Sequence, residues 1–156
     1  MQISRIETGF IEIPGQISLN IYTQGCTCGC VGCHNEEIWS FKGGFKFDKE
    51  YIKKLMPKRT LCKWICWLGG NPTEQNDLGE ICQYIKENYN FKICVYTGHL
   101  FKTIDKNTLK YIDMVVDGKW EGIPVIEPNT NQKIYLKQNN TFNLLKNWQE
   151  LTDILT

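Results

Sequence analysis

The chain has 156 residues with 18 basic and 17 acidic side chains, a net charge of +1. That length fits one domain, residues 1–156, which buries roughly 68–70% of its unfolded surface and needs neither disulfide nor metal merely to fold. Near neutrality, with Arg5 and Arg59 as the only arginines, argues against a binder of nucleic acid or of a membrane surface.

From the N-terminus, Met1 to Glu7 carries charges of both signs and no apolar core, unlike a secretory signal. Ile13 to Asn35 is uncharged for 23 residues, but Pro14, Gln16, Asn20, Gln24 and four cysteines exclude a membrane span. A cytoplasmic protein is expected. Within this stretch Ile17 to Thr23 alternates apolar with polar, the period of a half-buried strand. A cysteine-rich loop follows. Phe47 to Met56 has helical apolar spacing at Tyr51, Ile52 and Leu55, and Pro57 ends it. Lys63 to Leu68 predicts a second strand, closing at Gly69-Gly70-Asn71-Pro72. Thr73 or Asn76 then caps a helix to about Asn88, with Leu78, Ile81, Cys82 and Ile85 on one face. Phe91 to Thr97 is a third strand, Leu109 to Tyr111 part of a short helix, and Met114 to Val116 a fourth strand. Phe142 to Leu155 reads as one closing amphipathic helix.

Strands alternating with helices predict an α/β fold with a mainly parallel sheet and right-handed crossovers. The strands end in glycine-bearing turns at Gly25, Gly69-Gly70, Gly98 and Gly118. Ligands of such folds sit at the carboxyl ends of the strands, so these loops should converge on one edge. A complete eightfold barrel needs about 250 residues, which leaves an open partial (β/α) barrel of about five or six strands.

Eight cysteines are too many for a core of this size to explain by packing alone. Cys66 and Cys94 lie in apolar runs and Cys82 on a helix face, so burial accounts for these three. Cys62 with Cys66 has helical ligand spacing but falls at the start of a strand. The remaining four lie in Cys26-Thr27-Cys28-Gly29-Cys30-Val31-Gly32-Cys33-His34. Zinc would take Cys28, Cys30, Cys33 and His34, or borrow Cys62 and Cys66. A redox pair would use Cys30 and Cys33. A cubane iron–sulfur cluster would take thiolates from this compact, glycine-rich loop.

Cys26, Cys30 and Cys33 stand as Cys-x3-Cys-x2-Cys after the first strand, and this arrangement resembles the radical S-adenosylmethionine (SAM) superfamily. Further segments resemble one of its families, the activating proteins of the anaerobic, class III, ribonucleoside-triphosphate reductases. They are Cys-Val-Gly-Cys-His-Asn at 30–35 with Trp39, Leu-Gly-Gly-Asn-Pro at 68–72, Val-Tyr-Thr-Gly at 95–98 and Ile-Asp-Met-Val-Val-Asp-Gly-Lys-Trp-Glu at 112–121. Pro-Asn-Thr-Asn-Gln-Lys at 128–133 and Ile-Pro-Gly at 13–15 add to the likeness, which spans most of the chain. Gly-Gly-Asn-Pro departs from the acidic Gly-Gly-Glu-Pro form of the superfamily.

The resemblance implies a barrel of the radical SAM type. It implies a 4Fe-4S cluster held by Cys26, Cys30 and Cys33, with S-adenosyl-L-methionine on the fourth iron. The cofactor would meet Gly32, Cys33, His34, Gly69, Gly70, Asn71, Thr97, Asp117 and Lys119. Asn71 offers an oxygen without the full charge of the acidic form. Thr97 either faces adenosine or caps a turn, and Asp117 and Lys119 either face the cofactor or form a surface turn. Cys28 is expected as a free thiol turned away from the cluster, and His34 borders the pocket. Trp39 and Trp120 flank the ligand edge as candidates for partner contact. The implied reaction cleaves SAM with one electron and moves a hydrogen from a glycine of the large reductase subunit to a 5′-deoxyadenosyl radical. A low-potential donor such as flavodoxin or ferredoxin would supply the electron. The competing readings are an activase of another glycyl-radical enzyme and a zinc-binding interaction module.

Overall fold

A computed structural model describes residues Met1–Thr156. Its strands are β1 (Gln2–Gly9), β2 (Ser18–Thr23), β3 (Phe45–Lys46), β4 (Trp64–Leu68), β5 (Lys92–Thr97), β6 (Met114–Asp117), β7 (Lys133–Gln138) and β8 (Thr141–Leu144). The helices are α1 (Lys49–Leu55), α2 (Leu78–Asn88), α3 (Lys106–Leu109) and α4 (Trp148–Leu155). All eight strands form one sheet in the order β3-β1-β2-β4-β5-β6-β7-β8.

The four expected strands are present as β2, β4, β5 and β6, and they pair in parallel in that order. The expectation of about five or six mainly parallel strands is corrected in two ways. The sheet has eight strands, and β1 with β3 on one side and β7 with β8 on the other pair antiparallel. These additions were hidden for a physical reason. β1 mixes Arg5 and Glu7 among its apolar residues, and β8 is mostly exposed, so neither carries a clean period of two. β7 does alternate, burying Ile134 and Leu136.

The single helix expected over Phe142–Leu155 is also corrected. Residues 141–144 extend β7 by a hairpin through Asn139 and Asn140, both at positive φ, and a new helix starts after Asn147. Asn147 Oδ1 accepts from Glu150 N–H at 3.0 Å, the N-cap bond that sets this start. Side-chain caps set α1 and α3 in the same way: Asp48 accepts from Tyr51 N–H and Asp105 from Thr108 N–H. The expected cap of α2 at Thr73 or Asn76 is corrected: that helix starts after Asp77, whose side chain makes no capping bond.

Alternation along the strands splits the core into two layers. Ile65, Trp67, Ile93, Val95 and Val115 face α1, α2 and α3. Trp64, Cys66, Cys94, Met114 and Val116 face the opposite layer, closed by Ile13, Leu145 and Leu151. Cys66, Cys82 and Cys94 are fully buried, as expected of small hydrophobic residues. Cys62 belongs to one layer and Cys66 to the other, so the sheet separates them as metal ligands. No helix is long and apolar enough to cross a membrane.

Candidate metal centre

Parallel pairing brings the carboxyl ends of β2, β4, β5 and β6 to one edge, and backbone hydrogen bonds lock the first two loops together. Asn71 N–H donates to Gly25 O at 2.8 Å. Gly25 N–H donates to Ile38 O at 2.8 Å and Cys26 N–H to Trp39 O at 2.9 Å, so the root of the cysteine loop is held from both sides. Gly70 sits at φ +31, and a Cβ there would fall on the carbonyl oxygens of Thr23 and Gly25. Glycine is required because two chain segments touch at that point.

A cleft of about 140 Å³ opens at this edge, lined by Cys26, Cys28, Cys30 and Cys33. Of the residues expected at the cofactor, Cys33, Gly69, Gly70 and Thr97 also line it. Gly32, His34, Asn71, Asp117 and Lys119 do not. Gly32 O accepts from Trp120 Nε1 at 3.1 Å, and the exposed His34 ring lies 5.0 Å from that indole, so these residues form a rim. Asn71 is buried and its side chain is committed. Its Oδ1 accepts from Thr97 Oγ1 at 2.7 Å and Thr73 Oγ1 at 3.1 Å, and its Nδ2 donates to Glu74 Oε1 at 2.8 Å. Asp117 is buried, and its Oδ2 accepts from Phe101 N–H at 2.6 Å while Oδ1 has no partner. Lys119 is exposed.

Trp39, Tyr96, Gly98, Gly118 and Gln132 line the cleft without having been expected as cofactor contacts. Gly98 and Gly118 close strands already read as facing this edge, so the strand-end rule could have named them. Gln132 comes from the segment before β7, and nothing local in the sequence marks it.

Cys28 requires a correction. It is buried and turned into the same cleft as the other three cysteines, not away from it. Its sulfur sits where a Cβ on Gly98 would be, 2.5 Å away, so this position depends on glycine. Asn71 Nδ2 donates to Cys28 Sγ at 3.4 Å, and Cys28 N–H donates to Cys26 Sγ at 3.3 Å. Burial pushes the Cys28 thiol up to about 12, with the neighbouring Cys26 as the next cause, and burial also raises Cys26.

Glu74 was not singled out in the sequence, yet it anchors this region. Its carboxylate accepts from Thr27 N–H at 3.0 Å, Thr27 Oγ1 at 3.1 Å and Asn71 Nδ2 at 2.8 Å, and lies 3.4 Å from His99 Nε2. It follows Pro72 on the single helical turn after β4, where an acidic residue looks like ordinary helix-start chemistry.

The donor set suits an iron–sulfur cluster. Thiolates are the ligands such clusters take, and Asn35 N–H to Cys33 Sγ at 3.4 Å is the type of sulfur hydrogen bond that tunes them. Cys26, Cys30 and Cys33 do not gather around one point closely enough for a single ion, whereas a cluster takes each thiolate at a different iron.

Residues 14–141 match the family model of the 4Fe-4S single cluster domain, and the chain belongs to that family. It is 29% identical over 114 residues to the anaerobic ribonucleoside-triphosphate reductase-activating protein of Pasteurella multocida, covering 65% of this chain and 72% of that one. The protein of the same name from Haemophilus influenzae is 30% identical over 111 residues, covering 64% and 72%. The structure of QueE from Escherichia coli superposes with a TM-score of 0.54 at 14% identity, over 74% of this chain and 70% of that chain, a likeness of fold. With this cluster domain and these relatives the chain is an oxidoreductase of the radical SAM type, with a 4Fe-4S cluster and S-adenosyl-L-methionine as cofactors.

Proposed function

We propose that this chain, acting as a single radical SAM domain in the cytoplasm, activates an anaerobic ribonucleotide reductase by forming a glycyl radical on its large subunit. The observation that carries this reading is the convergence of four thiols and the ends of four parallel strands on one cleft. Its central strands would be the parallel part of an open partial barrel. The names of the relatives support the reductase as partner. Flavodoxin or ferredoxin would be the electron donor, with no part for nucleic acid or membrane.

Cys26, Cys30 and Cys33 would hold the cluster. When bound, the cluster supplies the electron that cleaves S-adenosylmethionine. The chain's own residues orient and shield. Gly69 and Gly70 let the β4 turn pack against Tyr22 and the root of the cysteine loop, and backbone carbonyls of this turn would meet the ammonium group. Asn71 fixes that turn through Thr97 and Thr73 rather than by reaching the cofactor with its own oxygen. Thr97 borders the cleft as the adenosine side. Asp117 positions the loop after β5 by holding Phe101 N–H, and the exposed Lys119 would offer its ammonium group to the methionine carboxylate. Trp120 bridges to Gly32 beside His34 and limits water at the mouth.

The test mixes the anaerobically reconstituted chain with the large reductase subunit, SAM and a reductant. A glycyl-radical doublet in electron paramagnetic resonance is expected, and Cys30→Ala abolishes it. Release of 5′-deoxyadenosine with no doublet on the reductase, but with one on another glycyl-radical enzyme, would transfer the partner assignment to that enzyme.

A further inference from the structure

The cluster-ligand reading gives no part to one thiol of the cleft, Cys28, and gives the carboxylate of Glu74 only a bracing one. Three ligand atoms, the sulfurs of Cys26 and Cys28 and a carboxylate oxygen of Glu74, lie within 4.8 Å of one another. A single tetrahedral ion with bonds of about 2.3 Å to sulfur and about 2.1 Å to oxygen needs such atoms about 3.5–3.8 Å apart. Small side-chain rotations close the difference. No other three cysteine, histidine or acidic residues in the chain meet this closely.

We infer that Cys26, Cys28 and Glu74 form a site for one thiophilic divalent cation, Fe2+ or Zn2+, in the chain before its cluster is built. Each ligand already carries the outer hydrogen bond that orients a metal ligand. Cys28 N–H points at Cys26 Sγ, Asn71 Nδ2 at Cys28 Sγ, and Thr27 N–H at Glu74. Three protein ligands leave the fourth tetrahedral position to solvent. On binding, each thiol gives its proton to solvent and each sulfur and the carboxylate donates a pair to the ion, with no change of oxidation state.

This site excludes the cluster, because Cys26 serves in both. Ferrous ion held there stands beside Cys30 and Cys33 as the first iron delivered, whereas zinc blocks assembly.

The experiment titrates Co2+ into the full-length metal-free chain under anaerobic conditions and follows the thiolate-to-cobalt charge-transfer band. One equivalent is expected to bind. Cys28→Ser and Glu74→Gln each weaken binding by more than about tenfold, while Cys30→Ser and Cys33→Ser leave it within about twofold. Far-ultraviolet circular dichroism verifies the fold of each variant, and should Glu74→Gln not fold, Cys28→Ser decides alone. A second arm adds one equivalent of Zn2+ before iron and sulfide. It slows the rise of cluster absorption in the parent chain and not in Cys28→Ser.

No cobalt band, full affinity in Cys28→Ser, or a loss in Cys30→Ser or Cys33→Ser as large as in Cys28→Ser would overturn the site. Equal zinc inhibition in Cys28→Ser would overturn its role in assembly. Neither arm involves SAM or a reductase, so failure here is separate from failure of the proposed activation.

Discussion

Asn71 shows how one side chain can serve a site that it does not enter. Its amide ties together Thr73, Thr97, Glu74 and Cys28 at the meeting of three loops. Asn71→Ala leaves buried hydroxyls and a carboxylate short of partners, so a loss of about 1–3 kcal/mol in unfolding free energy is expected from urea denaturation. Calorimetry of the reconstituted chain should also show weaker SAM binding, since the turn that Asn71 fixes is the proposed ammonium contact. Gly70→Ala acts through backbone collision and should cost about 1–3 kcal/mol by the same denaturation assay. Gly29, also at positive φ but facing open space, separates the causes: Gly29→Ala bears only the left-handed backbone cost of about 1–2 kcal/mol. At this scale the cysteine triplet and the glycine turns were legible, because their spacing along the chain is itself the signal. The direction of Cys28 and the part played by Glu74 were not. Both depend on the β4 turn being folded against the cysteine loop, a contact between residues more than forty positions apart.

At the scale of elements, the sheet divides into a parallel centre that builds the cleft and antiparallel flanks that do not. α4 closes the layer opposite α1–α3, with Leu151 fully buried. Leu151→Ala is expected to cost about 2–5 kcal/mol in chemical denaturation. Asn147→Ala, which removes the N-cap, should cost about 1 kcal/mol and leave the cysteine loop unchanged in hydrogen exchange. The four central strands were readable because β4, β5 and β6 are short apolar runs, β2 alternates with a period of two, and each ends at a glycine-bearing turn. The hairpin of β7 and β8 was missed because Phe142, Leu144 and Leu145 fit a helical period as well as an extended one. The Asn139-Asn140 turn, with both residues left-handed, was the local sign that would have split the segment.

For the whole molecule, buried thiols and phenols make stability depend on alkaline pH. Burial raises Cys82 to about 12 and pushes Cys94 and Tyr96 well upward. The unfolded chain releases these protons first, so the folded state holds more protons between pH 9 and 12 and its stability falls across that window. The melting temperature should therefore be level below about pH 8.5 and decline above it. Cys82→Ala should show a shallower decline, and an equal slope in both chains would remove Cys82 as a cause.

The parallel centre and the 4Fe-4S character of the cysteine loop can be read from the order of residues alone. Ligand spacing, glycine turns and apolar runs are local properties that a chain carries before it folds. That the sheet has eight strands, that Cys28 turns inward, and that Asn71 and Glu74 brace the loop instead of facing open solvent emerges only on folding. Each of these is set by contacts between distant segments, where burial and hydrogen-bond satisfaction outweigh local preference.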